Sequence, residues 1–186
     1  MGRLSTVDDS AVFAAVGEML STNGTIGLQD VVKATGVSIG SLYHRYGSRE
    51  ELLARAWVDA VTAFQSNFRN ALESGADDAG EQAALATPRF CRAERARARI
   101  LMCCRKSEFV RDSTPAALKK QIDSININAA KTVAEFAKQN GYALDACHMA
   151  LVAFPVGAVR LYLPDHDIPP SVDEYIVAAY KAAVAV

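Results

Sequence analysis

The run Gly36-Val37-Ser38-Ile39-Gly40 spells G-x-S-x-G, the pattern that holds a serine nucleophile on a sharp strand-to-helix turn. Hydrolysis by such a serine needs a preceding strand, and an acid and a histidine carried to it by a sheet. No strand pattern precedes Ser38, and only His44, His148 and His166 could serve as base, so the match reads as accidental. Metal chemistry lacks its donors too. There is no H-E-x-x-H, Cys147 and His148 are helix neighbours that point apart, and Asp165-His166-Asp167 reads as a solvated turn between prolines. Cys91, Cys103, Cys104 and Cys147 form no C-x-x-C pair and read as reduced thiols packing as small hydrophobes, the usage of a cytoplasmic chain. With no G-x-G-x-x-G or Walker loop, the expectation is a protein that is not an enzyme, with no catalytic residue, metal ligand or cofactor.

What remains is a set of hydroxyls, amides and cations. The stretch from Ser38 to Tyr46 gathers small residues at one end and Tyr43, His44 and Arg45 at the other. A helix that approaches a duplex closely and reaches its phosphates needs that mixture. Farther on, Arg89 to Asp112 holds eight Lys or Arg against three acids, with Arg92, Arg95, Arg99 and Lys106 on one helical face. That face is solvated, or paired with the acidic stretch 51–88, or the place where one arginine binds an anionic effector. Over all 186 residues, 20 Lys and Arg nearly balance 21 Asp and Glu, which argues against a general polyanion binder. The balance conceals an acid-free stretch from Val31 to Arg49, which contains Lys33, Arg45 and Arg49.

Helices must position these groups, because almost every periodic segment has helical spacing. Val12, Phe13, Val16, Met19 and Leu20 form one stripe that stops at Asn23-Gly24, and Leu28, Val31 and Val32 form a second that stops at Gly36. A third short helix covers roughly Ser38 to Tyr46, anchored by Leu42. Ser48-Arg49-Glu50-Glu51 is a capping box that opens a long fourth helix, and Ser171-Val172-Asp173-Glu174 is a second one before the last helix. Pro88 is expected to break the chain before an arginine-rich helix reaching about Phe109, and Pro155 to kink an apolar, buried helix from Asp145 to Leu163. With 51% hydrophobic residues the chain can bury a core, and no strand alternation or internal repeat is present. The polar opening Met1 to Ser10 has no secretory pattern, and no apolar run reaches membrane-spanning length.

Helix, turn at Gly36-Val37 and short helix make a helix-turn-helix pattern. In the residues Thr25-Ile26 through Gly36-Val37-Ser38, Gly40-Ser41-Leu42-Tyr43, Tyr46 and Ser48-Arg49-Glu50-Glu51-Leu52, the sequence resembles the TetR family of bacterial transcriptional regulators. It departs at Gly27, where a threonine or serine often caps the second helix, and at Val32, where alanine is usual. The resemblance covers about a quarter of the chain. It implies an all-α fold, with a three-helix DNA-binding domain at 1–47 and a larger effector-binding and dimerisation domain at 48–186. It also implies Gln29, Ile39, Gly40 and Ser41 near base edges, and Thr25, Tyr43, His44, Arg45 and Arg49 on phosphates.

The function implied is that of a cytoplasmic, homodimeric repressor, bound to a palindromic double-stranded DNA operator and released by a small-molecule effector. The two helices at 145–163 and 171–185 would pair across the dimer axis. Arg99, Met102, Cys103, Ile125, Ala129, Phe136, Met149, Phe154 and Tyr162 are the candidate effector contacts, with Gly157 beside Pro155 opening space between helices. The alternative is a non-enzymatic helical ligand-binding or interaction protein that binds no operator.

Overall fold

Asp8 opens the first helix. Its carboxylate accepts the Ser10 amide at 3.0 Å, and α1 runs Asp9–Asn23 until Gly24, at φ 68°, closes it. The structure is a computed structural model and describes residues 8–185, so the first seven residues of the polar opening lie outside the described residues. Helix α2 (Leu28–Thr35) stops at Gly36, φ 71°, a left-handed conformation that glycine adopts without a steric penalty. Two residues later Ser38 caps α3 (Ile39–Tyr46), which sets the tight turn between them. Helix α4 (Arg49–Leu72) starts where Ser48 Oγ accepts the Glu51 amide at 3.0 Å. The capping box is only half made, because the Glu51 carboxylate turns to Arg55 and the Ser48 amide donates to the Tyr46 carbonyl instead.

Beyond Leu72 the helices are α5 (Ala79–Ala93), α6 (Arg95–Ala98), α7 (Lys106–Phe109), α8 (Ala116–Asn140), α9 (Leu144–His148), α10 (Phe154–Arg160) and α11 (Val172–Val184). Two π-helical turns, Arg99–Cys103 and Met149–Ala153, extend α6 and join α9 to α10. The described residues contain no strand, so the chain is all-α.

Four local expectations fail here. Pro88 lies inside α5 rather than before a new helix, and the interruption comes at Glu94. Proline has no amide, so this removes the donor that would bond the Ala84 carbonyl. Ser171 makes no side-chain cap on α11, so the second capping box does not form. Pro155 sits in the first turn of α10, where its missing amide costs little, and the helix change beside it is the π turn. The segment 145–163 is also not buried all round. Ala150, Leu151 and Val159 point inward, while Met149, Val152, Phe154 and Leu161 stay exposed.

Two cores result. In the head, Val12, Val16, Val31 and Leu42 pack with Leu52, Leu53 and Trp57 of α4, and with Ile100, Phe109 and Ile122 contributed from much later in the chain. In the body, Phe68, Phe90, Val133, Phe136, Leu151 and Ile176 join α4, α5, α8, α11 and the second π turn. Helix α4 belongs to both. Head and body also touch through Gly17 of α1, where an added Cβ would stand 2.8 Å from Ile100 Cγ1 and 3.2 Å from the Ala96 carbonyl.

Candidate functional site

Ser38 is a helix cap, and that decides its chemistry. Its Oγ accepts the Ser41 amide at 3.1 Å and lies 2.9 Å from Ser41 Oγ, at a turn between two helices, so the G-x-S-x-G run makes no nucleophile elbow. The cap orients a helix with two faces. Leu42 and Tyr46 are 1% and 3% exposed and anchor it, while Gly40, Tyr43 and His44 face outward with Ile39 and Ser41 half-buried at its start. Tyr43 is 52% exposed, a large ring that no core interaction retains. Thr25 and Gln29 are exposed at the start of α2, on the neighbouring part of the same domain.

Arg45 is committed elsewhere. Its Nε and Nη2 donate to Asp9 at 2.9 and 2.5 Å, and the Tyr46 hydroxyl donates to the same carboxylate at 2.5 Å. The hydrogen bond from Arg45 holds the Asp9 carboxyl below its ordinary range, with Tyr46 acting in the same direction, and burial pushes the Tyr46 phenol up. Asp9 was invisible to motif reading because it lies 36 residues from Arg45. Arg49 is likewise occupied: its Nε donates to the Ile26 carbonyl at 3.1 Å, bracing the loop that presents Thr25, and its Nη1 lies 3.6 Å from Glu50.

The arginine-rich segment is neither a solvated face nor one helical stripe. The interruptions at Glu94 and Cys104 scatter its side chains, and they tie elements together. Arg92 donates to Asp173 and to the carbonyls of Ile168 and Pro169. Arg95 pairs with Asp167, which removes the Asp165-His166-Asp167 turn as a free acidic loop. Arg97 bridges Asp59 and Glu94, Lys106 lies 5.5 Å over the Trp57 ring, and Arg99 reaches Glu18 at 3.5 Å. Arg99 thus joins the body to α1 instead of entering a body cavity. Arg160, which motif reading passed over, donates to the Met102 carbonyl in the first π turn at 2.8 Å.

A cavity of about 510 Å³ does open in the body, between α4, α5, α8 and the segment from His148 to Val156. Of the candidate effector contacts it gathers Ala129 and Met149. Met102 and Phe136 are body core, Cys103 and Tyr162 pack against that core, and Ile125 packs against the head core. Phe154 is exposed, and Gly157 faces open space without lining the cavity. Phe64, Phe68, Thr87, Leu151 and Val152 line it and escaped sequence reading, since apolar residues at helical spacing look the same whether they face a cavity or a neighbour. Burial pushes the Cys91 and Cys104 thiols up to about 12, which suits packing rather than reactivity.

Residues 19–56 match the family model of the bacterial regulatory proteins of the tetR family. A search of curated proteins finds no match. The TetR family transcriptional regulator PfmR from Thermus thermophilus has a similar structure, with a TM-score of 0.72 at 17% identity over 94% of this chain and 97% of that one. A transcriptional regulator from Rhodococcus sp. Rha1 gives 0.63 at 19% identity, over 96% of this chain and 95% of that one. At these identities the structural likeness shows the fold.

Proposed function

From the TetR-family helix-turn-helix within residues 19–56 and the TetR-type fold that carries it, we propose that the chain is a DNA-binding transcriptional repressor that acts as a homodimer and responds to a small molecule. One observation carries the reading. Helix α3 is anchored by two buried residues and presents Gly40, Tyr43 and His44 outward, with Ile39 and Ser41 half-buried beside them and no acid on α3 to repel phosphate. Thr25 and Gln29 extend that surface, while Arg45 and Arg49 position it by holding Asp9 and the Ile26 carbonyl.

Six large apolar side chains exposed between residues 144 and 175, Leu144, Met149, Val152, Phe154, Leu161 and Tyr175, support pairing with a second copy through α9–α11. Two-fold pairing would set two α3 helices about 34 Å apart, the spacing of successive major grooves in a palindrome. Helix α4 lines the body cavity with Phe64 and Phe68 and supplies Leu52, Leu53 and Trp57 to the head core, so a ligand that shifts α4 changes that spacing. Among the described residues no helix is long and apolar enough to cross a membrane, and a cytoplasmic site of action suits the reading.

Sequencing genomic DNA selected by the purified protein, then measuring binding of the enriched fragments by mobility shift across salt concentrations, tests the proposal. A palindromic motif bound by the dimer is the expected result. Absence of any specifically bound fragment at low salt would leave a helical ligand-binding or interaction protein.

A further inference from the structure

Threonine hydroxyls inside helices usually donate to the carbonyl four residues back, and two here do: Thr35 to Val31 at 2.7 Å and Thr132 to Asn128 at 3.1 Å. Thr87 does not. It is 1% exposed, lies in the wall of the body cavity with Oγ1 just beneath the lining surface, and that oxygen has no hydrogen-bond partner among the described residues. A buried hydroxyl left in this state is costly unless something else completes it. The next residue is Pro88, so the helix is already short of one amide at this turn.

The surroundings specify what could complete it. Phe64, Phe68, Val133 and Leu151 make the walls apolar, and no Lys, Arg, Asp or Glu is among the lining residues. Gln65 is half-buried and His148 exposed, so neither sits as deep as Thr87. A volume of about 510 Å³ lies within the range of roughly 300–1,000 Å³ typical of small-molecule sites. An ionised ligand beside Thr87 would lose its hydration with no buried counter-charge to replace it, since His148, the one titratable side chain of the lining, is exposed.

We propose that the body cavity binds a neutral, mainly apolar alkyl or aryl molecule, held by a single hydrogen-bonding oxygen on Thr87 Oγ1. This rests on the regulator reading only in taking the occupant to be the effector; the binding itself is measured without DNA.

Three matched probes, 4-butylphenol, butylbenzene and the anion 4-butylbenzoate, test it by calorimetry or thermal shift on the full chain. The phenol should bind about five- to tenfold more tightly than butylbenzene, the worth of one hydrogen bond, and the benzoate should bind weakest at about pH 7.5. In Thr87→Val, which keeps the side-chain shape, the advantage of the phenol should shrink to within about threefold while butylbenzene binds as before. The ligand-free Thr87→Val protein should also melt at a higher temperature, since the unpartnered hydroxyl is gone. Ala129→Phe, which fills the cavity from its rim, should abolish binding of all three. Preferential binding of the benzoate, an undiminished preference for the phenol in Thr87→Val, binding that survives Ala129→Phe, or binding of none of the three would each overturn the proposal. Operator binding is assayed separately on the same preparations, so loss of either property is read independently of the other.

Discussion

Tyr43 and Arg45 stand two positions apart on one helix and do opposite work. Tyr43 is held by nothing and faces outward, whereas Arg45 and Tyr46 converge on Asp9 and fasten α3 to α1. Tyr43→Ala is therefore expected to weaken operator binding about tenfold, the worth of one good contact, with an unchanged melting temperature; titration with a labelled operator and a thermal melt check both. Asp9 carries a pH signature. Its carboxyl is held below the ordinary value by Arg45, so its contribution to stability is present above the unfolded-state pKa and disappears as pH falls through the folded one. Melting temperature should drop between about pH 5 and pH 3, and Asp9→Asn should flatten that part of the profile while lowering stability at neutral pH. Ser38→Ala should cost about 1 kcal/mol of stability, as loss of an N-cap, and leave no hydrolytic activity to lose. Leu42 and Tyr43 were legible because anchoring and exposure are local properties of a few consecutive residues, whereas Ser38, counted into the third helix, is its cap. The Asp9 pair was not, because a contact across 36 residues leaves no periodic trace.

At the level of elements, helix ends marked by glycine were legible. Gly24 and Gly36 adopt left-handed conformations, and that requirement is written at a single position. Interruptions inside the arginine-rich segment were not. The run from Ala79 to Phe109 divides into α5, α6, a π turn and α7, and the cations expected on one face point to separate partners: Arg92 to Asp173 and its loop, Arg95 to Asp167, Arg99 to Glu18, and Lys106 to the Trp57 ring. Tertiary pairing, rather than helical phase, decided where they went. Close packing in this region is equally hidden from the sequence pattern. Gly80 of α5 lies so near the Tyr180 ring of α11 that a Cβ there would overlap it. Gly80→Ala should accordingly destabilise the protein by roughly 1–3 kcal/mol despite the better helix propensity of alanine, measured by urea unfolding. A partner substitution, Tyr180→Leu, should recover part of that loss.

For the whole molecule, the apolar surplus of residues 145–163 was legible as composition, but its direction was not. A sequence shows that a helix is apolar all round; which half meets its own body depends on where α5 and α11 lie. The exposed half is the surface on which the proposed dimer can be tested. Leu161, 79% exposed, should tolerate Glu without loss of folding, and Leu161→Glu should convert dimer to monomer in size-exclusion chromatography with light scattering, weakening operator binding with it. The head core has a different consequence, one that bears on how such proteins can be recombined. The interior of residues 8–47 is closed by Leu52, Leu53 and Trp57 from α4 and by Ile100, Phe109 and Ile122 from much later in the chain. The reading head is therefore not a cartridge that can be unplugged at the α3–α4 turn. A chimera that moves it to another body must carry the complementary surface of residues 96–122 along, or reinvent it, and, on the proposed function, natural exchange of DNA specificity should favour substitutions on α2 and α3 over shuffling of whole segments.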